Sequence, residues 1–257
     1  MAVCSFGVVT IAPDHLIFDL FGTLVFFDET RIRRIEVGGA RLPVTVRDLA
    51  IELARVLPGV DALSFLHQLR LTSSELATKK RLEGIELHTS VRFEMALRRL
   101  GASEEAAMQL GRAMALSHMD SLARAVVCPA DRAPLLRQLS NNYRLGLLSN
   151  FDDAATARRV LREAGLDSFF DAIVISDEEG LRKPNSELFD RTCTRLGADA
   201  ARSLYVGDTL VEDIEGATGA GLRAVWIHAN AQDISPAVAT LPDVRDLPAW
   251  LSARWPG

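Results

Sequence analysis

Asp19 closes a short apolar run, His15-Leu-Ile-Phe-Asp19, and is followed by Gly22-Thr23. Further along stand Ser149-Asn150, Lys183-Pro184, and Gly207-Asp208 with Asp213 in the same stretch. Each has a plain reading alone. Asp before Gly forms turns, Ser-Asn caps helices, a lone lysine is solvated, and Asp208 and Asp213 suit a turn and a helix's first turn. Together they make a chemical device. Three carboxylates, Asp19, Asp208 and Asp213, would repel one another in one crevice, and a divalent cation among them relieves that cost. Few, hard oxygen ligands open to an anion fit Mg²⁺. The Ser149 hydroxyl, the Lys183 ammonium and backbone N–H groups after Asp19 can hold the remaining anionic oxygens. Asp19 is then a carboxylate nucleophile, working through an acyl phosphate.

Those residues need strand ends to hold them. His15 to Phe18 reads as a buried strand delivering Asp19 into a loop. From Cys128 onward strand and helix alternate: a helix after Asp131, a strand Arg144 to Ser149, a helix Asp153 to Ala164, and a strand Ala172 to Ser176. Then come a helix Ser186 to Leu196, a strand Ser203 to Gly207, a helix Val211 to Ala220 and a strand Arg223 to His228. Such alternation predicts an α/β fold, a Rossmann-like, three-layer parallel sheet with its ligands at the carboxyl ends of the strands. Pro236 to Pro242 reads as a loop or short helix before a final turn at Trp250.

Asp19 and Ser149 lie too far apart in the chain for a simple crossover. The stretch between reads as helices: Thr45 to Leu57, Asp61 to about Lys79, Glu86 to Leu100, and one opened by Ser103-Glu-Glu. Its one strand signal is a hairpin near Val37-Gly-Gly-Ala40. The expected organisation is a catalytic core of residues 1–27 and 128–257, with residues 28–127 inserted as an all-helical cap. Met108, Met114 and Met119 read as cap core, and Lys79-Lys80-Arg81 as a solvated helix end.

Composition is that of a globular chain and excludes a disordered or fibrous one. Of 257 residues, 48% are hydrophobic and 25% charged. A net charge of -5 offers no global attraction for nucleic acid or an anionic membrane, so neither is expected as a partner. The expected partner is a small phosphorylated molecule, and no oligomeric state is legible. Three scattered cysteines make no metal or disulfide framework. The N-terminus lacks a positive leader and no stretch is long enough to span a bilayer, which points to the cytoplasm. The five histidines have no metal-like spacing.

The ordered set resembles the haloacid dehalogenase (HAD) superfamily, in the branch with a helical cap inserted after the first strand. Phe18-Asp19-Leu-Phe-Gly-Thr-Leu24 resembles its first motif and Leu148-Ser149-Asn150 its second. Ser176 to Pro184 resembles the third, and Val206-Gly207-Asp208 through Asp213 to Ala217 the fourth. The resemblance implies a cap that opens and closes over the site, with Asp19 as nucleophile. It implies metal ligands in the Asp19 carboxylate, the Phe21 carbonyl and Asp208, with Asp213 direct or through water. Lys183 would bind the transferred group with Ser149 and steady Asp19; Thr23 and Asn150 are further binding residues. Cap residues near Glu83 to Thr89 could face the site.

One position departs from the pattern. The phosphatases of this superfamily carry a second Asp where this chain has Phe21, and phenylalanine transfers no proton. The 2-haloacid dehalogenases place an aromatic residue there, because halide leaves unprotonated. Those enzymes, however, work without metal and lack the Asp208–Asp213 arrangement, and no Trp occurs before Trp226. Arg31, Arg33, Arg34 and Arg41 could each meet a substrate carboxylate, though solvation accounts for each. The favoured expectation is a Mg²⁺-dependent phosphatase. The alternatives are a metal-free dehalogenase and a catalytically weak binding or regulatory protein.

Overall fold

The computed structural model describes residues 11–32, 34–37, 40–43, 53–54, 56–229 and 236–256. Its centre is β1 (His15–Phe18), buried along its whole length. Leu16 and Phe18 face one apolar cluster and Ile17 the other, the two-residue alternation of a strand covered on both sides. β1 pairs in parallel with β6 (Arg144–Ser149) on one edge and β8 (Ser203–Gly207) on the other. Outward lie β7 (Ala172–Ile175) beside β6, and β9 (Arg223–Ile227) then β10 (Ala239–Leu241) beside β8. The order β10-β9-β8-β1-β6-β7 places the reversal of winding at β1. A crevice outside the carboxyl ends of the strands forms at such a switch point. Asp19 continues the ladder by donating its N–H to the Val206 carbonyl at 2.9 Å, so the acid leaves the sheet in fixed register.

Helices cover both faces. α4 (Arg132–Ser140) and α5 (Ala154–Glu163) pack the β1–β6 side, and α6 (Ser186–Leu196) packs the other. Asp153, rather than Ser149-Asn150, caps α5, accepting from the Thr156 N–H at 2.8 Å. α7 (Leu247–Arg254) closes the chain. Two expectations are corrected here. The stretch Pro236 to Pro242 contains β10, the sixth strand of the sheet. The predicted helix Val211 to Ala220 begins as a π-helical turn, Leu210–Glu215, before an α-turn, Gly216–Gly219.

The chain leaves this sheet through β2 (Phe26–Phe27) and returns through β5 (Val126–Val127), which pair antiparallel. Between them, β3 (Arg34–Val37) and β4 (Ala40–Pro43) form a hairpin at the expected place. Among the described elements, the helices α1 (Ala62–Glu83), α2 (Ser90–Arg99) and α3 (Glu104–Arg124) follow. Asp61 caps α1 and Ser103 caps α3, as their chemistry predicts. Leu53, Phe65, Phe93, Leu97 and Met114 bury one another in a cluster separate from those of the sheet. Most of the predicted helix Thr45 to Leu57 lies outside the described residues.

α2 starts at Ser90 rather than Glu86, because Glu86 to Thr89 bonds to the loops beyond β7 and β6 instead of turning: the Glu86 N–H reaches the Gly180 carbonyl and the Thr89 N–H the Asp152 carbonyl. Met114 and Met119 are buried but Met108 is exposed, and Lys80 is largely buried. Among the described residues, no helix is long and apolar enough to cross a membrane.

Candidate active site

Lys183, which alone would pass for a surface lysine, is 1% exposed at the carboxyl end of the sheet. Its ammonium lies 2.7 Å from Asp19 Oδ1, 2.6 Å from Asp213 Oδ1 and 2.8 Å from the Tyr205 hydroxyl. Burial alone would lower the Lys183 ammonium, but the charges of Asp19 and Asp213 outweigh it and hold it above its ordinary value. Burial pushes the Asp19 carboxyl up to about 7, with Lys183 opposing and Asp213 adding to the rise. Burial and then Asp213 push Asp208 up as well.

One carboxylate oxygen from each of Asp19, Asp208 and Asp213 falls within 4.8 Å of the others. Three carboxylates against one ammonium leave two negative charges in a confined volume. The three acids do different work. Both Asp213 oxygens are committed, one to Lys183 and Tyr205 and the other to the Thr209 N–H at 2.9 Å. Asp208 has only a long 3.4 Å contact from the Thr209 hydroxyl, while its carbonyl accepts from Trp226 Nε1 at 2.8 Å. Asp19 Oδ2 is buried with no partner at all. An oxygen stranded in that way beside a free carboxylate is what a cation site requires.

Two glycines allow this approach. Gly22 adopts φ +98, and a Cβ there would overlap the Asp208 carboxylate. A Cβ on Gly207 would overlap the Asp213 carboxylate. Backbone without side chains is therefore needed at both turns for the acids to converge. The Phe21 carbonyl sits in the same tight turn, pinned by Gly22 N–H to the Val25 carbonyl at 2.8 Å.

Ser149 is fully buried and its hydroxyl lacks a partner; so is Thr23 and so does its hydroxyl. Both hydroxyls are left with their hydrogen-bonding capacity unused. Asn150 differs from the expected substrate contact. Its Oδ1 accepts from the Lys183 N–H at 2.8 Å, and its Nδ2 donates to the Lys183 carbonyl and to Glu212 Oε2. That side chain is spent on clasping the Lys183 loop, and Arg182 completes the clasp through Glu212 at 2.9 Å.

Sequence reasoning missed Tyr205, whose hydroxyl accepts from Lys183 and faces Asp213 Oδ1 and the Leu148 carbonyl. A tyrosine inside an apolar strand looks like core, and only its position one row before Gly207-Asp208 hinted otherwise. Glu86 falls in the segment Glu83 to Thr89 expected to face the site, but its partners were not foreseen: its carboxylate, 6% exposed by residue, accepts from Ser176 Oγ at 2.8 Å and pairs with Lys80 at 2.6 Å. Phe21 lies between two rings, stacked on Phe151 at 4.4 Å and on Phe27 at 5.1 Å. Arg31 is half exposed and pairs with Asp28 at 3.3 Å; the side chains of Arg33, Arg34 and Arg41 lie outside the described residues. A cavity of about 230 Å³ opens beside Gly22, Thr23 and Asp208.

Known proteins share this arrangement of chain. The chain is 37% identical over 102 residues to the glyceraldehyde 3-phosphate phosphatase of Methanothermobacter thermautotrophicus, an alignment covering 40% of this chain and 45% of that protein. It is 37% identical over 106 residues to the pyrimidine 5′-nucleotidase YjjG of Escherichia coli, covering 41% of this chain and 47% of YjjG. The chain thus spans less than half the length of either curated relative. A solved 2-haloacid dehalogenase from Pseudomonas syringae pv. Tomato DC3000 superposes with a TM-score of 0.69 at 25% identity, covering 95% of this chain and 99% of that one. The haloacid dehalogenase-like hydrolase family matches residues 13–221, from just before β1 to the turn before β9, a span that holds the three acids, Lys183 and strands β1, β6, β7 and β8, and the chain belongs to this hydrolase family.

Proposed function

We propose that this protein is a Mg²⁺-dependent phosphatase that hydrolyses a small phosphate ester through an aspartyl-phosphate on Asp19. One observation carries the reading: Asp19 has one oxygen held by Lys183 and the other buried, unpartnered and beside the free carboxylate of Asp208. The donor set is all hard oxygen with two excess negative charges, which fits Mg²⁺. Asp19, the Phe21 carbonyl and Asp208 would hold the ion, and Asp213, its oxygens already taken, would position Lys183. Bound Mg²⁺ would screen the phosphoryl group from the carboxylates and polarise its oxygens.

The chain's own residues then do the following. Lys183 fixes the attacking carboxylate and neutralises part of the phosphoryl charge. Ser149 and Thr23 offer hydroxyls to phosphoryl oxygens. Asn150 keeps Lys183 in register through its backbone. Residues 28–127 act as a cap over a core of 1–27 and 128–257; the β2–β5 ribbon is the crossing point, and Glu86 to Thr89 lies against the loops that hold the site. With its isolated cysteines the protein is assigned to the cytoplasm.

Phosphate release from an activated aryl phosphate, with and without Mg²⁺, tests this. The expected result is Mg²⁺-dependent turnover, lost by about 10⁴-fold or more in Asp19→Asn. Asp208→Asn is expected to abolish the stabilisation that Mg²⁺ gives the parent protein, about 2.7 kcal/mol at a hundredfold excess over Kd and read as a rise in Tm. Absence of phosphate release at any Mg²⁺ concentration, with no Mg²⁺-induced Tm shift, sinks the reading.

A second reading has its own support. Phe21 and the dehalogenase likeness favour displacement of halide from a 2-haloacid by Asp19. EDTA-insensitive halide release from 2-chloropropionate would establish it. Failure of both assays, with phosphate still bound, would leave a binding or regulatory protein.

A further inference from the structure

The loop after the nucleophile ends in an aromatic ring instead of an acid, and the structure gives that ring company. Phe21 stacks on Phe27 with planes 5° apart and on Phe151 with planes 21° apart. The three rings come from three different segments. Phe21 follows Asp19, Phe151 follows Ser149-Asn150, and Phe27 belongs to the ribbon strand β2. Phe151 is held by its backbone, its N–H donating to Ser176 Oγ at 2.9 Å. Phe27 is 41% exposed at the open end of the row. Ring pairs at this spacing are favourable, and an exposed ring at the end of a stack extends to another flat ring at little cost in order.

The proton inventory bears on the same group. Among the described side chains around Asp19, the hydrogens of Lys183 go to Asp19, Tyr205 and Asp213. The single hydroxyl hydrogen of Tyr205 serves Asp213 or the Leu148 carbonyl. Phe21 has none to give, and the unpartnered hydroxyls of Ser149 and Thr23 are too weakly acidic to protonate a leaving oxygen. With Asp19 as nucleophile and Asp208 ionised at the cation, as the phosphatase reading has them, the leaving oxygen departs as an anion.

We infer that the substrate is an aryl phosphate, with its ring laid against the Phe27 end of the Phe27–Phe21–Phe151 row while its phosphoryl group meets Asp19. The inference rests on the phosphatase reading and specifies its substrate class. In the step, an Asp19 oxygen forms a bond to phosphorus as the bond from phosphorus to the aryl oxygen breaks. The bonding pair leaves with the aryl oxide, which takes its proton from solvent. Water then attacks phosphorus, restores the Asp19 carboxylate and passes its proton to solvent, releasing inorganic phosphate. An aryl oxide is a stable anion and a flat ring, so it satisfies both constraints; an alkoxide satisfies neither.

Two measurements test the proposal. The first is calorimetric binding of phenylphosphonate and methylphosphonate, which cannot turn over, in the presence of Mg²⁺. Phenylphosphonate should bind about five- to tenfold more tightly, and Phe27→Ala should remove that margin. Equal binding of the two, or no binding of either, overturns the proposal. The second is kcat/KM across phenyl phosphates of graded leaving-group acidity and a simple alkyl phosphate. A steep fall toward the alkyl ester is expected, flattened by Phe21→Asp. Comparable alkyl and aryl rates overturn the substrate class while leaving the phosphatase standing. A phenyl preference in binding without any turnover removes the phosphatase and keeps the aromatic subsite.

Discussion

Two lysines in this molecule stand between two carboxylates each, and they differ in almost everything else. Lys183 sits between Asp19 at 2.7 Å and Asp213 at 2.6 Å, its side chain 2% exposed, at the end of the sheet. Lys80 sits between Glu86 at 2.6 Å and Asp152 at 3.4 Å, 13% exposed, where α1 meets the loops of the sheet. Lys183 is held on all sides by strand ends and by the Asn150 clasp. The Lys80 group joins a helix of the insert to Asp152 and, through Glu86, to Ser176 and Arg182. In the proposed reading the first arrangement would serve chemistry, because rigid neighbours keep one carboxylate aimed and partly neutralised. The second would serve closure, because its partners lie on segments that would have to separate for a cap to open. Equivalent charge patterns thus take different roles according to the stiffness of what carries them.

The largest effect should come from breaking the first triad. Lys183→Met leaves two buried carboxylates without their cation, and a loss of about 3–5 kcal/mol is expected by denaturant unfolding. Phosphate release should vanish with it. Mg²⁺ should recover part of the stability and none of the turnover. Full stability in this variant would show that the triad is not the buried, strongly coupled unit described.

Lys80→Met should cost less, about 2 kcal/mol, because Glu86 keeps the Ser176 hydroxyl and Arg182 lies 3.7 Å away. Its signature should be kinetic: KM should change more than the chemical step measured in single turnovers. An equal loss in both would place Lys80 in the catalytic centre and end the contrast between the two lysines.

The smallest effects concern pH, and they come from histidines at the same seam. Burial lowers His118 to about 4, with Arg92 adding to the fall and Asp152 opposing; Phe93 packs against its ring at 5.7 Å. Its neutral form is the one the fold accepts. That contribution is complete above the unfolded value near 6.5 and is lost as pH falls toward 4. His88 goes the other way, raised first by its hydrogen bond to Asp153 and then, against some burial, by Asp177 and Asp152. Its contribution is complete below about 6.5 and fades as pH rises through its folded value. Tm profiles from pH 4 to 8 should therefore lose acid sensitivity in His118→Phe and lose some acid-side stability in His88→Gln. A profile unchanged by His118→Phe would show that this ring is not held neutral by its surroundings.

Much of the sheet could be read from alternation alone. Ser186–Leu196 and Ser203–Gly207 begin and end where pattern and capping placed them. β10 escaped because a three-residue edge strand of mixed burial carries too little apolar signal. The local pattern predicts a helix from Glu86, because nothing local says that its carboxylate will find Ser176 ninety positions away. Asn150 looked like a ligand because it follows Ser149; its real partner, the backbone of Lys183, is invisible without the fold.

What the amino-acid order determined by itself is which chemistry is available and where the strands that carry it must end: acids, hydroxyl and lysine after apolar runs, with glycine wherever a Cβ would block their approach. Tertiary structure alone decided how those groups divide the work. It spent both oxygens of Asp213 on Lys183, Tyr205 and Thr209, left one oxygen of Asp19 bare, and laid Phe21 between two rings from distant segments. The reason is physical. Strand and helix preferences act over a few neighbouring residues, whereas hydrogen-bond satisfaction and ring stacking are settled by whichever groups the folded chain brings within about 3–5 Å.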